Sequence, residues 1–175
     1  LNVIDDHDTR HIIETGKLQL EIGNDVTNTN GTHTMVNSNV TFNSIAPACG
    51  VYNGVFNGSS SEITTTPHSD FNFGYDDFTI DTWVNYAAIS TYSALYCSDP
   101  DIIYNGVLFG YVAGPIYFYA SNGYASWDLC AGLELGSQTI GYWQHLAVVR
   151  KGDKIFGYNT GILQDVYTLI GTQEF

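Results

Sequence analysis

Positive charge is nearly missing from this sequence: 5 Lys+Arg stand against 18 Asp+Glu, for a formal net charge of -13. A protein grips a phosphate backbone by displacing counterions with Lys and Arg, so this composition excludes nucleic acid as a partner. No apolar run approaches the roughly 18 residues a membrane span needs. The residues from Leu1 onward do not read as a signal peptide, and the missing initiator Met is expected to reflect trimming or an excised segment. The three cysteines, Cys49, Cys97 and Cys130, are too few and odd in number for a disulfide scaffold. A single Cys97–Cys130 bridge and a set of buried thiols in strands are both open readings. The G-x-S-x-G, H-E-x-x-H, P-loop and paired C-x-x-C signatures are absent as well.

What is present favours strands and turns: 18 Gly, 13 Tyr and many Asn and Thr, with few Lys and Glu. The clearest stretch is Tyr142-Trp143-Gln144-His145-Leu146-Ala147-Val148-Val149-Arg150, then Lys151-Gly152-Asp153, then Lys154-Ile155-Phe156-Gly157-Tyr158. Aromatic and β-branched residues without proline, broken by a Gly-Asp step, predict a β-hairpin. Trp143, His145, Ala147 and Val149 share one face, and Gln144, Leu146 and Val148 the other. Apolar residues on both faces predict a central strand covered twice. Arg150, Lys151 and Lys154 crowd the turn and read as a solvated tip. Further runs bounded by Gly, Asn and Pro, at Ser93 to Cys97, Asn105 to Val112, Pro115 to Ser121 and Tyr124 to Ala131, give the rhythm of a sandwich.

The N-terminal region is more polar. Residues 1–16 are expected to be an arm or docking segment, with a short helix between Asp5 and Gly16. His7 and His11 would share a helical face near Asp8, which could be written as a metal site or as a solvated arm. Lys17 to Ile22 alternates as a half-buried strand and opens a domain spanning 17–175. Asp25 to His33 is a loop by composition.

Four landmarks in order carry a family resemblance. They are Val55-Phe56-Asn57-Gly58 with Glu62-Ile63-Thr64, Pro67-His68-Ser69, Asp77-Phe78-Thr79-Ile80-Asp81-Thr82-Trp83-Val84, and Trp143-x-His145-x-Ala147-Val148-Val149-Arg150 followed by Tyr158-Asn159-Thr160-Gly161. Together they resemble the laminin-G-like, or concanavalin A-like lectin/glucanase, jelly roll. Asn57 stands where that family has aspartate, and Thr160 interrupts its Asn-Gly turn. The resemblance implies an all-β fold, a two-sheet antiparallel sandwich. Because the family continues through further strands, the last ones are expected to be missing or supplied by a neighbouring chain. It also implies a calcium site: Asp25, Asn28 and Asn30 could offer oxygen ligands, or the same residues could make an Asx-turn loop without an ion.

The enzyme implied by this fold, a glycoside hydrolase, needs two carboxylates about 5 Å apart or somewhat further. No Glu-x-Asp run occurs; Asp77 and Asp81 would lie about 13 Å apart along a strand, and Asp128 and Glu134 are isolated. The expectation is a non-catalytic module. Sugars are held by aromatic faces and amide or hydroxyl hydrogen bonds, and Tyr117, Tyr119, Asn122, Tyr124 and Trp127 are the candidates. The resemblance points to a glycan or host-surface receptor as partner, outside a cell or on a virion surface. A different reading makes the chain a structural or decoration subunit of a virion, tail fibre or extracellular filament, acting through neighbouring subunits in a homo-oligomer or array. Asn30-Gly31-Thr32, Asn39-Val40-Thr41 and Asn57-Gly58-Ser59 are glycosylation sequons.

Overall fold

The computed structural model describes residues 2–3, 19–22, 26–28, 33–89, 92–98, 105–112, 114–123, 126–171 and 175, and in these the regular structure is almost entirely antiparallel β. The chain divides into two compact units, Leu1–Phe71 and Asn72–Phe175.

The first unit holds β1 (Asn2–Val3), β2 (Gln19–Ile22), β3 (Val26–Asn28), β4 (Met35–Ser38), β5 (Thr41–Asn43), β6 (Asn53–Val55), β7 (Glu62–Thr65) and a 3-10 turn at Ser69–Phe71. They form a three-stranded sheet, β1-β2-β3, and two-stranded pairs β4-β7 and β5-β6. The expected strand before Ile22 is β2. Val26–Asn28, expected as loop, pairs with β2 instead, because a strand already extended gives Val26 and Thr27 a ladder to complete. The region proposed as a short helix, with His7, Asp8 and His11, lies outside the described residues.

The second unit holds β8 (Phe78–Asn85), β9 (Tyr92–Cys97), β10 (Asn105–Val112), β11 (Ile116–Asn122), β12 (Cys130–Glu134), β13 (Trp143–Lys151), β14 (Lys154–Asn159) and β15 (Ile162–Thr168). One sheet runs β15-β14-β13-β8 and the other β12-β11-β10-β9. Alternation along each strand sends one set of side chains inward. From the first sheet come Ile80, Leu146, Val148 and Ile155; from the second come Phe109, Ile116, Phe118 and Leu133. All of these belong to one buried cluster, the packed interior of a two-sheet sandwich.

The predicted hairpin is β13 and β14, turning at Gly152 and Asp153 with Lys151 opposite Lys154. Double coverage of β13 is only half realised. Gln144, Leu146 and Val148 are buried, whereas on the other face Ala147 is buried but Trp143, His145 and Val149 are half-buried. The basic tip also divides. Lys151 and Lys154 are exposed, but Arg150 is 4% exposed. It faces inward with Leu146 and Val148, donates from Nη1 to the Gly74 carbonyl at 2.9 Å, and sets its guanidinium 4.7 Å from the centre of the Phe175 ring. The position of Arg150 at the rim of the core, not its nearness to the turn in sequence, decides its burial.

The Thr160-Gly161 step tests how far a turn tolerates the wrong residue. Both residues have positive φ, 50° and 76°, as a two-residue turn with primed geometry requires. A β-branched residue there is strained, and Thr160 is anchored by its N–H on the His145 carbonyl at 2.6 Å and its hydroxyl on Asn159 Oδ1 at 3.0 Å.

A Cys97–Cys130 bridge is ruled out by topology. Cys97 is on β9 and Cys130 on β12, opposite edges of a four-stranded sheet, hence about 14 Å apart at the usual strand spacing and far beyond disulfide reach. The expectation of buried strand thiols holds only for Cys130: Cys97 is half-buried and Cys49 is exposed outside any strand, whereas the Cys130 thiol is pushed up to about 12 by burial, with Sγ 3.7 Å from the Phe118 carbonyl.

Candidate functional site

The face of the β12-β11-β10-β9 sheet turned away from the core is built by the same alternation that fills the interior. Ile116, Phe118 and Ala120 are buried, so Tyr117 and Tyr119, between them, point outward and are half-buried. Each has a larger ladder partner on one side, Glu134 for Tyr117 and Leu108 for Tyr119, and a small one on the other. Tyr117 sits opposite Gly110 and Tyr119 opposite Ala131. Gly110 has no alternative: a Cβ there would meet the Ser93 carbonyl oxygen at 2.2 Å, where the register of β9 and β10 shifts. Gly132 lets the Tyr119 ring lie close, since a Cβ there would be 3.1 Å from Cε1.

The turn after β11 adds the third ring. The Leu129 N–H donates to the Ala120 carbonyl at 3.1 Å, and the Asn122 N–H to Asp128 Oδ1 at 3.2 Å. These bonds fold residues 126–129 back over the sheet, which is why the expected strand at Tyr124 to Ala131 starts only at Cys130. They also bring Trp127 onto Tyr119, with ring centroids 5.3 Å apart and tilted 37°. Tyr117 and Tyr119 are 5.6 Å apart and tilted 48°. Three rings thus form one row.

The phenol of Tyr119 is held above the ordinary tyrosine range, first by burial and then by the neighbouring Tyr117, Cys130 and Tyr92. It is therefore a neutral hydrogen-bond donor and acceptor at physiological pH. Tyr92 is 70% exposed and lies at the edge of this group. Of the five residues singled out from sequence, Tyr117, Tyr119 and Trp127 come together. Asn122 is exposed at the end of β11, tied through its backbone to Asp128. Tyr124 lies outside the described residues. Of the calcium candidates, Asp25 and Asn30 also lie outside them, while Asn28 pairs with Leu20 in the β2-β3 ladder.

The outward face of the other sheet carries a second aromatic group that the sequence reading did not single out. Trp83 and His145 are cross-strand partners with rings 5.1 Å apart, and His145 Nε2 lies 3.1 Å from Asp81 Oδ2. The signal was available in the alternation: Asp81 and Trp83 share a parity opposite to the buried Ile80 and Thr82.

Compared with known families, residues 57–173 match the model of the concanavalin A-like lectin/glucanases superfamily, of laminin G type. The chain belongs to that superfamily. No curated protein and no solved structure matches it. The concanavalin A-like span takes in Tyr117, Tyr119, Trp127 and the Trp143-x-His145 hairpin, and it begins after Asp25, Asn28, Asn30 and His33. At its start, Asn57 replaces the aspartate that the resemblance led one to expect. Its amide oxygen accepts from the backbone N–H groups of Ser59, Ser60 and Ser61 at 2.9, 2.9 and 3.1 Å. Holding a turn this way requires an acceptor oxygen and not a charge. No helix among the described residues is long and apolar enough to cross a membrane.

Proposed function

We propose that this protein is a non-catalytic recognition module, acting outside a cell or on a virion surface, that binds a glycan on the outward row Tyr117–Tyr119–Trp127. The observation that carries the reading is the continuity of the row, with successive centroids 5.6 and 5.3 Å apart. Adjacent sugar rings present C–H faces that aromatic rings cover, and the phenol of Tyr119 and the amide of Asn122 supply the hydrogen-bonding that orients a hydroxylated ligand. Membership in a lectin-like superfamily supports a ligand-binding role and leaves the ligand to the site.

The test is a glycan array with the full chain, followed by titration of the strongest ligand. Trp127→Ala is expected to weaken binding by about 1–3 kcal/mol, the range for a stacking aromatic, while the fold is kept. Undiminished binding by Trp127→Ala removes this face from consideration. Release of reducing ends from the bound glycan would replace the non-catalytic reading with a hydrolytic one.

A second reading, a structural or decoration subunit, draws on the first unit. Val36, Ile45, Val51 and Phe56 are 53%, 78%, 50% and 51% exposed there, more apolar surface than a solvated unit needs, and suited to a neighbouring subunit. An N-terminal deletion that folds but no longer assembles would favour this reading over glycan recognition.

A further inference from the structure

The first unit brings together three side chains that sequence separates. In the β4-β7 ladder Met35 pairs with Thr65, so His33, just before β4, comes level with the segment just after β7. There the chain tightens into the 3-10 turn, closed by the Phe71 N–H on the His68 carbonyl at 3.1 Å. The turn points Asp70 back at His33. Asp70 Oδ2 lies 3.1 Å from His33 Nε2 and 3.4 Å from His68 Nδ1, and one donor atom from each residue fits within 4.8 Å of the others.

Two features set this group apart from an ordinary His–Asp hydrogen bond. First, the Asp70 N–H donates to His68 Nδ1 at 3.2 Å. In the neutral ring, Nδ1 is then an acceptor and carries no proton to offer Oδ2. Nδ1 and Oδ2 are then two acceptors 3.4 Å apart with no hydrogen between them, and a cation bound there would take the Nδ1 lone pair in place of the Asp70 N–H. Second, two of the separations, 3.1 and 3.4 Å, are those of ligands around a small ion, and the wider spread of the three donor atoms, up to 4.8 Å, requires the two imidazoles to draw together when an ion enters. Donors at the zinc–nitrogen and zinc–oxygen bond lengths of a tetrahedral site lie about 3.3 Å from one another. The rings already lie side by side: His33, its side chain 3% exposed, packs against Phe71 with centroids 4.9 Å apart and meets His68 edge-on at 4.7 Å. The partial exposure of His68 and Asp70, 47% and 38%, leaves a path for an ion and a position for water.

We propose that His33, His68 and Asp70 bind one divalent first-row transition ion, zinc being the best match, and that the ion clasps the segment before β4 to the turn after β7. Two imidazoles and one carboxylate suit zinc, cobalt or nickel, whereas calcium takes six to eight oxygens and would find one residue of the right type. The unit has reason to use such a clasp: among its described side chains only Val40 and His33 are buried, and small units short of apolar core commonly gain stability from a metal.

The test uses the full chain, stripped with a chelator and titrated with zinc by calorimetry and with cobalt(II) by visible absorption. Wild type should take up one ion per chain at this site and show the intense absorption of tetrahedral cobalt. His68→Ala should weaken uptake about tenfold or more, and Asp70→Asn, which keeps the shape but removes the charge, should do the same and serves if His68→Ala fails to fold. Hydrogen exchange at the Phe71 amide should slow when zinc is added. The proposal is overturned if wild type takes up no zinc, if the folded variants bind as wild type does, or if zinc leaves Phe71 exchange unchanged.

Discussion

The two units use the same strands and turns but are held by different forces. Asn72–Phe175 closes over Phe109, Ile116, Phe118, Leu133 and Leu146, all at 0% exposure. In Leu1–Phe71 the described side chains include only one buried apolar residue, Val40, and even its position is fixed by polar contacts. Asn37 Nδ2 donates to the Val40 carbonyl at 3.1 Å, and Oδ1 accepts from the Val40 N–H at 3.0 Å. Ser61 reaches the Asn39 carbonyl at 2.8 Å, and Asn57 holds its three successive backbone donors. The comparison teaches that a β-rich sequence can be stabilised by burial, or by Asn and Ser side chains that satisfy backbone groups a core would otherwise leave to strands.

The largest contrast should appear in thiol chemistry. Burial leaves Cys130, at about 12, on the order of a thousandfold less thiolate than an ordinary cysteine at neutral pH, besides shielding it from reagent. Cys49, in the first unit, is exposed. Alkylation followed by peptide mapping should label Cys49 in native protein and Cys130 only after denaturation. Equal labelling would mean that the second unit opens as readily as the first.

Next in size is the core itself. Phe118 is fully buried and touches the aromatic layer through Phe78, 6.2 Å away centroid to centroid. Phe118→Ala should cost about 3–5 kcal/mol by lost burial and a residual cavity, read as a fall in the denaturation midpoint. Arg150 tests the polar rim of the same core. Arg150→Met keeps much of the volume but leaves the Gly74 carbonyl without its guanidinium donor, and should cost about 1–3 kcal/mol. Arg150→Lys should not restore it, because a point charge cannot lie flat on the Phe175 ring and reach the carbonyl with a planar fork.

The fold was legible in sequence where alternation ran long enough to define two faces, or where a run resembled a strand of the family. Residues 143–151 declared themselves as a strand because Leu146 and Val148 share one face and Ala147 and Val149 the other, and 78–85 did so through the resemblance of Phe78-Thr79-Ile80 and Trp83-Val84 to a strand of the family. Tyr117, Tyr119 and Trp127 were legible as binding candidates from their aromatic chemistry, although the contact of Trp127 with Tyr119 depends on a turn that the sequence placed inside a strand. Arg150 was misplaced because nearness to a turn says nothing about which face a residue takes at the rim. The His33, His68 and Asp70 group was invisible, since its His33–Asp70 pair spans 37 positions and only the β4-β7 register closes that gap. Cys97 and Cys130 failed as a pair for the converse reason: strands near in sequence ended at opposite edges of a sheet.

A smaller effect should sharpen the contrast from the other side. Asn57→Ala removes an acceptor that three backbone donors share and should cost about 1 kcal/mol. Asn57→Asp, which keeps the acceptor, should be nearly neutral. Unequal losses of this kind, measured by the midpoint of the transition that reports on residues 33–71, would identify hydrogen-bond geometry as the source of stability there. Equal losses would point to charge or to the unfolded chain instead.

The smallest effect is electrostatic and belongs to the hairpin tip. Asp77 accepts from Lys151 Nζ at 2.8 Å and from the Gly152 N–H at 2.7 Å, and these contacts, the Lys151 bond first, hold its carboxyl below the usual aspartate range. Because the folded value lies below the unfolded one, the stabilisation is fully present above about pH 5, where the unfolded carboxyl is also ionised. It is lost as the pH falls through the lowered value, since the folded carboxylate must then take up the proton. Lys151 runs the opposite way: its ammonium is raised by the same bond, so its share is present below the unfolded lysine value and fades as the pH climbs through the folded one. Asp77→Asn keeps an acceptor for Gly152 but removes the charge, so its melting temperature should fall slightly below wild type near neutrality and converge with it in acid. Both groups are solvent-exposed, and molar salt should therefore shrink the neutral-pH difference. A gap that survives both acid and salt would show that the ion pair is not what separates the variant from wild type.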